Sequence, residues 1–325
     1  MSIKNIIAFR CPDCQRGDLD EDTDSESDAI FKCTFCGTTF PIINGIPRLT
    51  AIENYSDSFG FQWSLHRQTQ LDSYTNKKIS EDRLKRTTTW THLAEVSGDI
   101  LEAGSGAGRF TEILLKTSAR IFSFDYSTAV DANATNNNYS DKLSLFQGDI
   151  FNLPFHDNIF DHVLCLGVLQ HTPDPEKAFL SLAQKVKPGG YLYIDSYALT
   201  WHHWAQWKYL LRPFTKRLKQ ETLYNLVANI VPKLMPIAKF SKMLFGRIGR
   251  RLMPIVEFSH HGLTGKINRE WSILDTFDMY SPEHDHPKTI NAIRMWFKKV
   301  SFEEVEIFYG DNGIVGRGRK PLKNN

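Results

Sequence analysis

The sequence has no long uninterrupted apolar run and no excess of one charge. None of its 325 residues lies in a stretch of about 18 uncharged apolar residues, so no membrane-spanning helix is predicted. The first residues, MSIKNIIAFRCPDC, contain no apolar segment of the length found in a signal peptide. With 39 Lys and Arg against 37 Asp and Glu, the formal charge of +2 does not by itself indicate a nucleic-acid or membrane partner. We therefore expect a cytoplasmic protein.

Cysteine is also scarce, and four of the five cysteines form two close pairs. Cys11-Pro-Asp-Cys14 and Cys33-Thr-Phe-Cys36 are CxxC motifs separated by 18 residues, and Cys165 stands alone. Two such turns can offer four thiolates to one tetrahedral zinc ion. In the absence of an export signal, this spacing favours a structural zinc ribbon over disulfides or unliganded thiols. We expect the metal to fold this small segment.

Composition and periodicity divide the remaining chain into further regions. Residues 98–195 alternate short apolar runs with helical segments, which is typical of βαβ units and a parallel sheet. The predicted division is a zinc-ribbon module at 1–50, a helical extension at 51–97, an α/β core at 98–195, a basic and aromatic helical insertion at 196–270, and a C-terminal completion of the sheet at 271–325.

A glycine-rich segment follows the first strand predicted in the core, Asp99–Ala103. Gly104, Gly106 and Gly108 suit a loop in which the backbone turns sharply and a ligand approaches it closely. A dinucleotide fingerprint would require glycine at position 109, which is arginine here. An acid, Glu102, precedes the loop by two residues. The loop therefore favours a nucleotide-like ligand other than a dinucleotide.

Two further acids follow the next predicted strands. Asp125 lies 19 residues after Gly106, where a carboxylate at a strand end accepts hydrogen bonds from ribose hydroxyls. Asp149 ends the third strand and could receive an adenine amino group. Each acid could instead cap a turn or a helix. Their agreement in position with the glycine loop favours a shared ligand site.

The motifs LEAGSGAGRF, SFDYS, QGDIFNLPF, FDHVLCLGVLQHTPDP and VKPGG resemble the successive motifs of class I methyltransferases. The resemblance is to the small-molecule, UbiE-like "type 11" group and covers about residues 80–195. FPIINGIP is similar to the short zinc-ribbon proteins that accompany methyltransferases. FDMYSPEHDHPKT and GDNGIVGRGRK resemble methyltransferases found among sugar and cell-surface biosynthesis proteins.

This resemblance implies a Rossmann-like doubly wound sheet of seven strands, with the zinc ribbon ahead of it and the insertion as a lid. It also implies S-adenosyl-L-methionine as the cofactor, bound in the core beneath the helical extension. The cofactor-binding residues expected on this basis are Glu102, Gly104, Gly106, Gly108, Asp125, Tyr126, Asp149, Ile150, Leu166, Gly167 and Gln170.

The candidate catalytic residue is His171, at the predicted mouth of the sheet. A base is needed only if the methyl acceptor has a proton to lose. His171 could alternatively orient the HTPDP turn and the helix after it. The segment from Gly167 to His171 lacks the Asn/Asp-Pro-Pro-Tyr tetrad of enzymes that methylate exocyclic amino groups of nucleic-acid bases. The sequence therefore disfavours that reaction.

The insertion is locally basic, with 11 Lys and Arg between Thr200 and Ile255 against one acid, Glu221. Aromatic residues are interleaved with these cations: Trp201, Trp204, Trp207, Tyr209 and Phe214. Such a segment suits phosphate-bearing sugars or lipids, a membrane surface or RNA. It could instead be a lid whose lysines only face water.

Prolines at three positions of the insertion, Pro232, Pro236 and Pro254, predict several short helices. One long helix lying along a membrane surface is therefore not expected from the sequence.

Methyl transfer to a hydroxyl of a small, sugar-linked or lipid-linked acceptor is the function that we expect, with contact to a membrane surface through the insertion. An RNA base methyltransferase that grips RNA with the ribbon and the insertion is the first alternative. The near-neutral charge and the absent tetrad disfavour nucleic acid as a partner. A non-catalytic zinc-ribbon adaptor is the second alternative. The sequence does not indicate the acceptor or the oligomeric state.

Overall fold

The computed structural model describes residues 9–22, 29–51, 54, 56–137, 140–200 and 206–322. The predicted interface aromatics Trp201 and Trp204 lie outside these residues. Within them, no helix is long and apolar enough to cross a membrane.

Seven strands form the central sheet, as predicted. In spatial order it reads β10-β11-β9-β8-β5-β6-β7. The five strands from β9 to β7 run parallel, and the β10–β11 hairpin adds antiparallel to β9. The bounds are β5 Asp99–Ala103, β6 Arg120–Asp125, β7 Leu143–Gln147, β8 Phe160–Leu166, β9 Val186–Ser196, β10 Glu303–Gly310 and β11 Gly313–Arg319.

Both faces of this sheet are covered because consecutive strand residues point to opposite sides. In β5, Ile100 faces a layer that includes Leu84 and Ile113, whereas Leu101 faces the layer that holds Phe179 and Phe297. The helices that follow the core strands are α4 Thr111–Leu114, α5 Val130–Asn136, α6 Pro175–Lys185 and α10 Ile290–Lys299. The doubly wound α/β fold is therefore confirmed.

The N-terminal module is a small antiparallel sheet in the order β1-β2-β3-β4. Its strands are β1 Leu19–Asp22, β2 Ile30–Cys33, β3 Thr39–Ile43 and β4 Ile46–Pro47. The module packs on the outer strand β7, where the Phe9 ring lies 5.2 Å from that of Phe146. The Leu49 amide donates to the Gln147 carbonyl at 2.8 Å. The module thus shares the hydrophobic core of the larger domain and protects an edge strand.

The segment at 51–97 precedes the central sheet. It contains α1 Asp57–Leu65, α2 Asp72–Thr75 and α3 Ile79–Thr88, followed by a single 3₁₀ turn at Leu93–Glu95. These helices lie across the carboxyl edge of the sheet, because residues of α1 and α3 face the glycine loop after β5.

The insertion forms a helical layer of α7 Trp207–Thr215, α8 Gln220–Arg251 and α9 Gly265–Tyr280. The predicted boundary at residue 270 falls inside α9, since α9 belongs to the same layer and packs on α7 and α8. The layer has its own apolar core, which includes Val231, Ile255 and Phe277.

The prediction that prolines divide the insertion into short helices is wrong for Pro232 and Pro236. Both lie within α8, whose non-helical break comes later, at Gly246. Each proline removes one helical hydrogen bond. Burial of residues spaced along one side of α8, among them Val227, Val231 and Met235, offsets that loss by anchoring the helix on α9.

Candidate functional site

The loop after β5 requires glycine for both its conformation and its space. Gly104, Gly106 and Gly108 have positive φ angles of 75°, 52° and 89°. A Cβ at Gly104 would lie 2.2 Å from a methyl carbon of Val168, and one at Gly106 would lie 3.1 Å from the indole nitrogen of Trp63. Substitution of either residue would therefore strain the backbone and fill the space above the loop.

Asp125 lies beside this loop because β5 and β6 are parallel neighbours whose carboxyl ends meet at one edge. Its Oδ2 accepts the Gly106 amide hydrogen at 2.8 Å, and its Oδ1 accepts from the Ser127 amide at 2.9 Å and the Ser127 hydroxyl at 2.7 Å. Burial raises the pKa of Asp125, and these donors oppose that rise. The carboxylate therefore shapes the loop as well as facing the cavity.

A cavity opens over the loop at the carboxyl ends of β5, β6, β8 and β9. Eight of the residues predicted for the cofactor or for catalysis line it: Gly104, Gly106, Asp125, Tyr126, Ile150, Leu166, Gly167 and His171. Four others predicted to bind cofactor do not line it: Glu102, Gly108, Asp149 and Gln170.

Glu102 is directed away from the cavity into the core. One carboxylate oxygen, Oε2, accepts hydrogen bonds from the Thr111 hydroxyl at 2.6 Å and the Ser123 hydroxyl at 2.7 Å. Burial raises the pKa of Glu102 to about 7. The Glu102 side chain points away from the cavity because, at its position within β5, it is directed toward α4, the helix that follows the loop. Its contact with the glycine loop is therefore indirect.

The side chains or backbone of the other three residues also lie outside the cavity lining. Asp149 accepts from the Phe151 amide at 2.9 Å and from the Asn152 side chain at 3.1 Å, so it caps its own turn, the alternative considered for it above. Gly108 gives room to the side chains of Asn133 and Asn137. Gln170 is fully buried, and its side-chain oxygen and nitrogen have no hydrogen-bond partner among the described residues.

Three arginines that the sequence reasoning missed also line the cavity: Arg67, Arg83 and Arg109. Arg83 of α3 is paired with Asp195, its Nε 3.0 Å from Oδ2. Arg109 donates to the Gln70 side chain at 2.8 Å, and burial lowers its pKa to about 10. Arginine remains protonated at that value, so Arg109 contributes a cation to the end of the cavity that the helical extension covers.

A second missed feature is a pair of acids on α9. Asp275 and Asp278 are three residues apart on one helix face, and both line the cavity near His171. Burial and the neighbouring Asp278 raise the pKa of Asp275 to about 7. The Tyr197 hydroxyl lies 3.4 Å from Oδ2 of Asp278. Two acids three residues apart within α9 were the signal in the sequence, but only the fold brings them to the cavity.

His171 is buried between the rings of Phe59 and Tyr197, with centroids 5.2 and 5.4 Å away. Its Nδ1 lies 3.1 Å from the His284 carbonyl oxygen. A carbonyl only accepts, so Nδ1 carries the proton and Nε2 is left with its lone pair. Burial lowers the pKa of His171, which keeps the ring neutral near pH 7. These are the properties of a proton acceptor.

A second cavity adjoins the first beneath the helical layer. His171, Tyr197, Asp275, Asp278 and Asn312 line both. The far wall of the second cavity is polar and comes from α7 and the segment after α9, through Lys208, Arg212 and Asp285. Nζ of Lys208 lies 2.9 Å from Oδ2 of Asp285. The two cavities thus adjoin at His171, between the glycine loop and the insertion.

The cysteine pairs meet at one point of the N-terminal module, as predicted. The four sulfurs of Cys11, Cys14, Cys33 and Cys36 lie within 4.8 Å of one another. The Cys11–Cys36 and Cys14–Cys33 sulfur pairs are 3.8 and 3.7 Å apart. A tetrahedral ion with zinc–sulfur bonds of about 2.3 Å separates its sulfurs by about 3.8 Å. The donor set and its spacing therefore fit zinc.

Residues 101–194 match the family described as "Methyltransferase domain". This part of the chain is similar to that domain. The match starts within β5 and ends within β9, so it contains the glycine loop, Asp125 and His171 but neither the cysteine module nor the helical insertion.

Similar proteins differ in what their names say they act on. A Synechococcus protein without an assigned function is 35% identical over 30% of this chain and 25% of its own length. A Coxiella burnetii ubiquinone biosynthesis O-methyltransferase is 31% identical over 30% of this chain and 42% of its length. A Nautilia profundicola tRNA U34 carboxymethyltransferase is 29% identical over 32% and 36%. The chain thus spans less than half the length of each of these relatives.

Among solved structures, a candidate S-adenosyl-L-methionine-dependent methyltransferase of Methanococcus maripaludis is 16% identical. The alignment covers 85% of this chain and 98% of that one, with a TM-score of 0.46.

The raised pKa of Glu102 predicts a specific pH dependence of stability. Its folded pKa of about 7 exceeds its ordinary value of 4.5, so the folded state binds more protons between these values. The free energy of unfolding should therefore fall as pH rises from about 4.5 to 7, by about 2–3 kcal/mol from this group. Urea unfolding of Glu102→Gln and the wild type across this range measures the difference. Parallel curves for the two proteins would refute the assignment.

Proposed function

We propose that the protein transfers a methyl group from S-adenosyl-L-methionine to a hydroxyl of a small or lipid-linked acceptor. The observation that carries this proposal is a pair of adjoining cavities, one over the glycine loop and Asp125 and a polar one beneath the helical layer, with His171 in the wall of both. The first suits a nucleoside-containing cofactor and the second suits a polar acceptor. The cofactor cavity and the acceptor cavity adjoin at His171, whose ring is neutral.

The residues around the loop fit the cofactor. Asp125 would receive the ribose hydroxyls, while Tyr126 and Ile150 would flank the adenine. The methionine part would lie over the loop, where its carboxylate can meet the positive charge of Arg83 and Arg109. When bound, the cofactor supplies an electrophilic methyl group.

An unsatisfied polar atom supports a ligand at this end of the cavity. Gln62 lines the cavity and is almost fully buried, and its Oε1 has no hydrogen-bond partner among the described residues. A buried acceptor without a donor costs roughly 1–3 kcal/mol. A ligand amino group in the cavity would remove that cost.

The chain's own contribution to the reaction is alignment, exclusion of water and removal of one proton. His171 Nε2 would accept the proton of the acceptor hydroxyl, because Nδ1 is already committed to the His284 carbonyl. The carboxylate of Asp278 raises the pKa of His171 against the effect of burial, and would stabilise the charged ring once it has the proton. Asp278 is thus an electrostatic partner of the base.

A hydroxyl acceptor agrees with this arrangement and with one of the relatives. A neutral histidine can deprotonate a hydroxyl as its oxygen attacks, and the O-methyltransferase name of the Coxiella protein describes the same class of acceptor atom. The carboxymethyltransferase name of another relative refers to tRNA. RNA therefore remains an outcome of the labelling experiment below.

Binding of S-adenosylhomocysteine tests the cofactor site. Asp125→Ala should weaken binding by roughly 1–3 kcal/mol through lost hydrogen bonds to ribose, and Gly106→Val should abolish it by filling the loop. Asp149→Ala is the matched control and should leave affinity unchanged, because Asp149 caps a turn outside the cavity. Isothermal titration calorimetry measures all four proteins. A wild type that prefers NAD, or binds neither ligand, would contradict the cofactor assignment.

Labelling with the tritiated methyl group of the cofactor tests the acceptor. Extracts of a strain lacking the protein should acquire label in the lipid or glycan fraction rather than in total RNA. His171→Asn should lower that labelling about 10²–10⁴-fold without changing S-adenosylhomocysteine affinity. The rate of the wild type should rise with pH through a pKa below 6.5, because the neutral ring is the active form.

The control for that experiment is His162→Asn, which alters a half-buried histidine of β8 that does not line the cavity. The His162→Asn variant should retain methyl-transfer activity.

Efficient labelling of RNA would show that RNA, and not the proposed lipid or glycan, is the methyl acceptor. Cofactor binding without transfer to any fraction would favour the adaptor function.

We further propose that the four-cysteine cluster binds one structural zinc ion. Its four thiolates would fill the coordination sphere, which leaves no position for a reacting water. The Phe35 and Cys36 amides both lie 3.4 Å from the Cys33 sulfur and can donate to it as a thiolate.

Elemental analysis of protein purified without chelator should give one zinc per chain. Cys36→Ser should lose most of it, whereas Cys165→Ala should keep it, since Cys165 lies in β8. Cys36→Ser should largely retain S-adenosylhomocysteine binding, because the cluster does not line the cavity. Wild-type protein without metal, or with disulfide-linked pairs, would contradict the zinc proposal.

A further inference from the structure

Helix α7 has a polar buried side and an apolar exposed side. Lys208 and Arg212 are buried, and both line the second cavity. On the other side Trp207, Leu210 and Phe214 are exposed, at spacings of three and four residues that place them on one face. Phe214 exposes 66% of its surface. This is the reverse of the usual arrangement for a helix at the surface of a globular domain.

Helix α8 repeats the pattern over a greater length. Leu223, Val227 and Val231 are buried against α9. A second apolar stripe on α8 is exposed, with successive spacings of four, seven, three and four residues: Leu226, Ile230, Ile237, Phe240 and Leu244. These spacings keep the stripe on one helix face for about five turns. Burial against α9 therefore accounts for only one of the two apolar faces of α8.

The two exposed faces adjoin at one end. The Trp207 indole donates to the Leu252 carbonyl oxygen at 3.0 Å, which joins the start of α7 to the residue after α8. Leu252 is itself exposed. We define the α7–α8 face by the following exposed residues of the two helices and the residue after α8: Trp207, Leu210, Phe214, Leu226, Ile230, Ile237, Phe240, Leu244 and Leu252. An apolar surface of this extent on a soluble domain indicates an interaction site.

Cations accompany this face. Arg217 and Lys219 are exposed between the two helices, and Lys233 lies on the α8 stripe itself. Lys239 lies next to Phe240 and lines a surface cleft together with Lys266 and Arg269 of the adjacent α9. Between Thr200 and Ile255 the sequence contains a single acid, Glu221. The face is therefore apolar with a positive border.

An apolar face with a positive border fits one kind of partner better than the others. A second copy of the chain would bring the same cations against one another across a two-fold interface. RNA would neutralise the cations but would leave the aliphatic stripe without a contact. An anionic lipid surface meets both requirements, since its phosphates attract the cations and its acyl region receives the apolar side chains.

We propose that the α7–α8 face docks the protein on the surface of a bilayer that contains anionic lipid. Helix α7 then separates the bilayer from the second cavity, with Phe214 on the lipid side and Lys208 and Arg212 on the cavity side. A lipid-linked acceptor would need to move only past this helix to reach His171. Docking itself depends on neither the cofactor nor the reaction.

Flotation with vesicles tests the proposal. The wild type should float with vesicles of equal parts phosphatidylcholine and phosphatidylglycerol, and far less with phosphatidylcholine alone. Phe214→Ser with Phe240→Ser should reduce binding at least about tenfold, because two rings no longer enter the acyl region. Arg217→Gln with Lys219→Gln and Lys233→Gln should lower it about fivefold per charge. Both effects should appear with the full-length protein.

Met295→Ser and Lys298→Gln are the matched controls, because both residues are exposed on α10, outside the helical layer. They should leave vesicle binding unchanged. Unchanged S-adenosylhomocysteine affinity in every variant would show that the fold is intact, so failure to dock stays distinguishable from failure of the proposed reaction.

Three results would overturn the proposal. The first is that the wild-type protein floats with neither kind of vesicle, and the second is that it floats equally with both. The third is that light scattering shows a stable dimer of the protein that Phe240→Ser dissociates.

Discussion

The buried carboxylate of Asp195 joins parts of the site that come from distant points of the chain. It lies in β9 and accepts hydrogen bonds from the Gly167 amide at 2.6 Å, the Asn312 side chain at 3.1 Å and the guanidinium of Arg83. Asp195 is 1% exposed, so its charge is tolerated only because these donors compensate for lost water. Through this one group the extension, the β8 loop and the β10–β11 hairpin hold a common position around the cavity.

Helix α9 is the second element on which the site depends. Asp275 and Asp278 face the cavity, while Phe277 packs into the core of the helical layer. The same helix thus supplies acids next to His171 and supports α7 and α8 from beneath. The helical layer therefore has the polar second cavity on its inner side and the α7–α8 face on its outer side. Little more than the thickness of this layer separates the two.

How far the sequence predicted this molecule depends on the range of each interaction. The predicted strand at 99–103 agrees with β5, because a local turn at the glycine loop ends its apolar run. Three acids were predicted to contact one ligand, and only Asp125 lines the cavity. Glu102 points into the core and Asp149 caps a turn. The direction of a side chain at a strand end depends on the elements that pack beside it. Residue type and spacing alone do not specify that direction.

The sequence by itself determined the features whose cause is local. These are the glycine loop with its positive φ angles, the strands of the core and the two cysteine turns. Only the tertiary structure decided that Arg83 meets Asp195, 112 residues away, and that α9 brings its acids to His171. It also decided that α8 continues through Pro232. A motif specifies the conformation of its own few residues, whereas the partner of a distant charge and the burial of a helix face depend on how the whole chain packs.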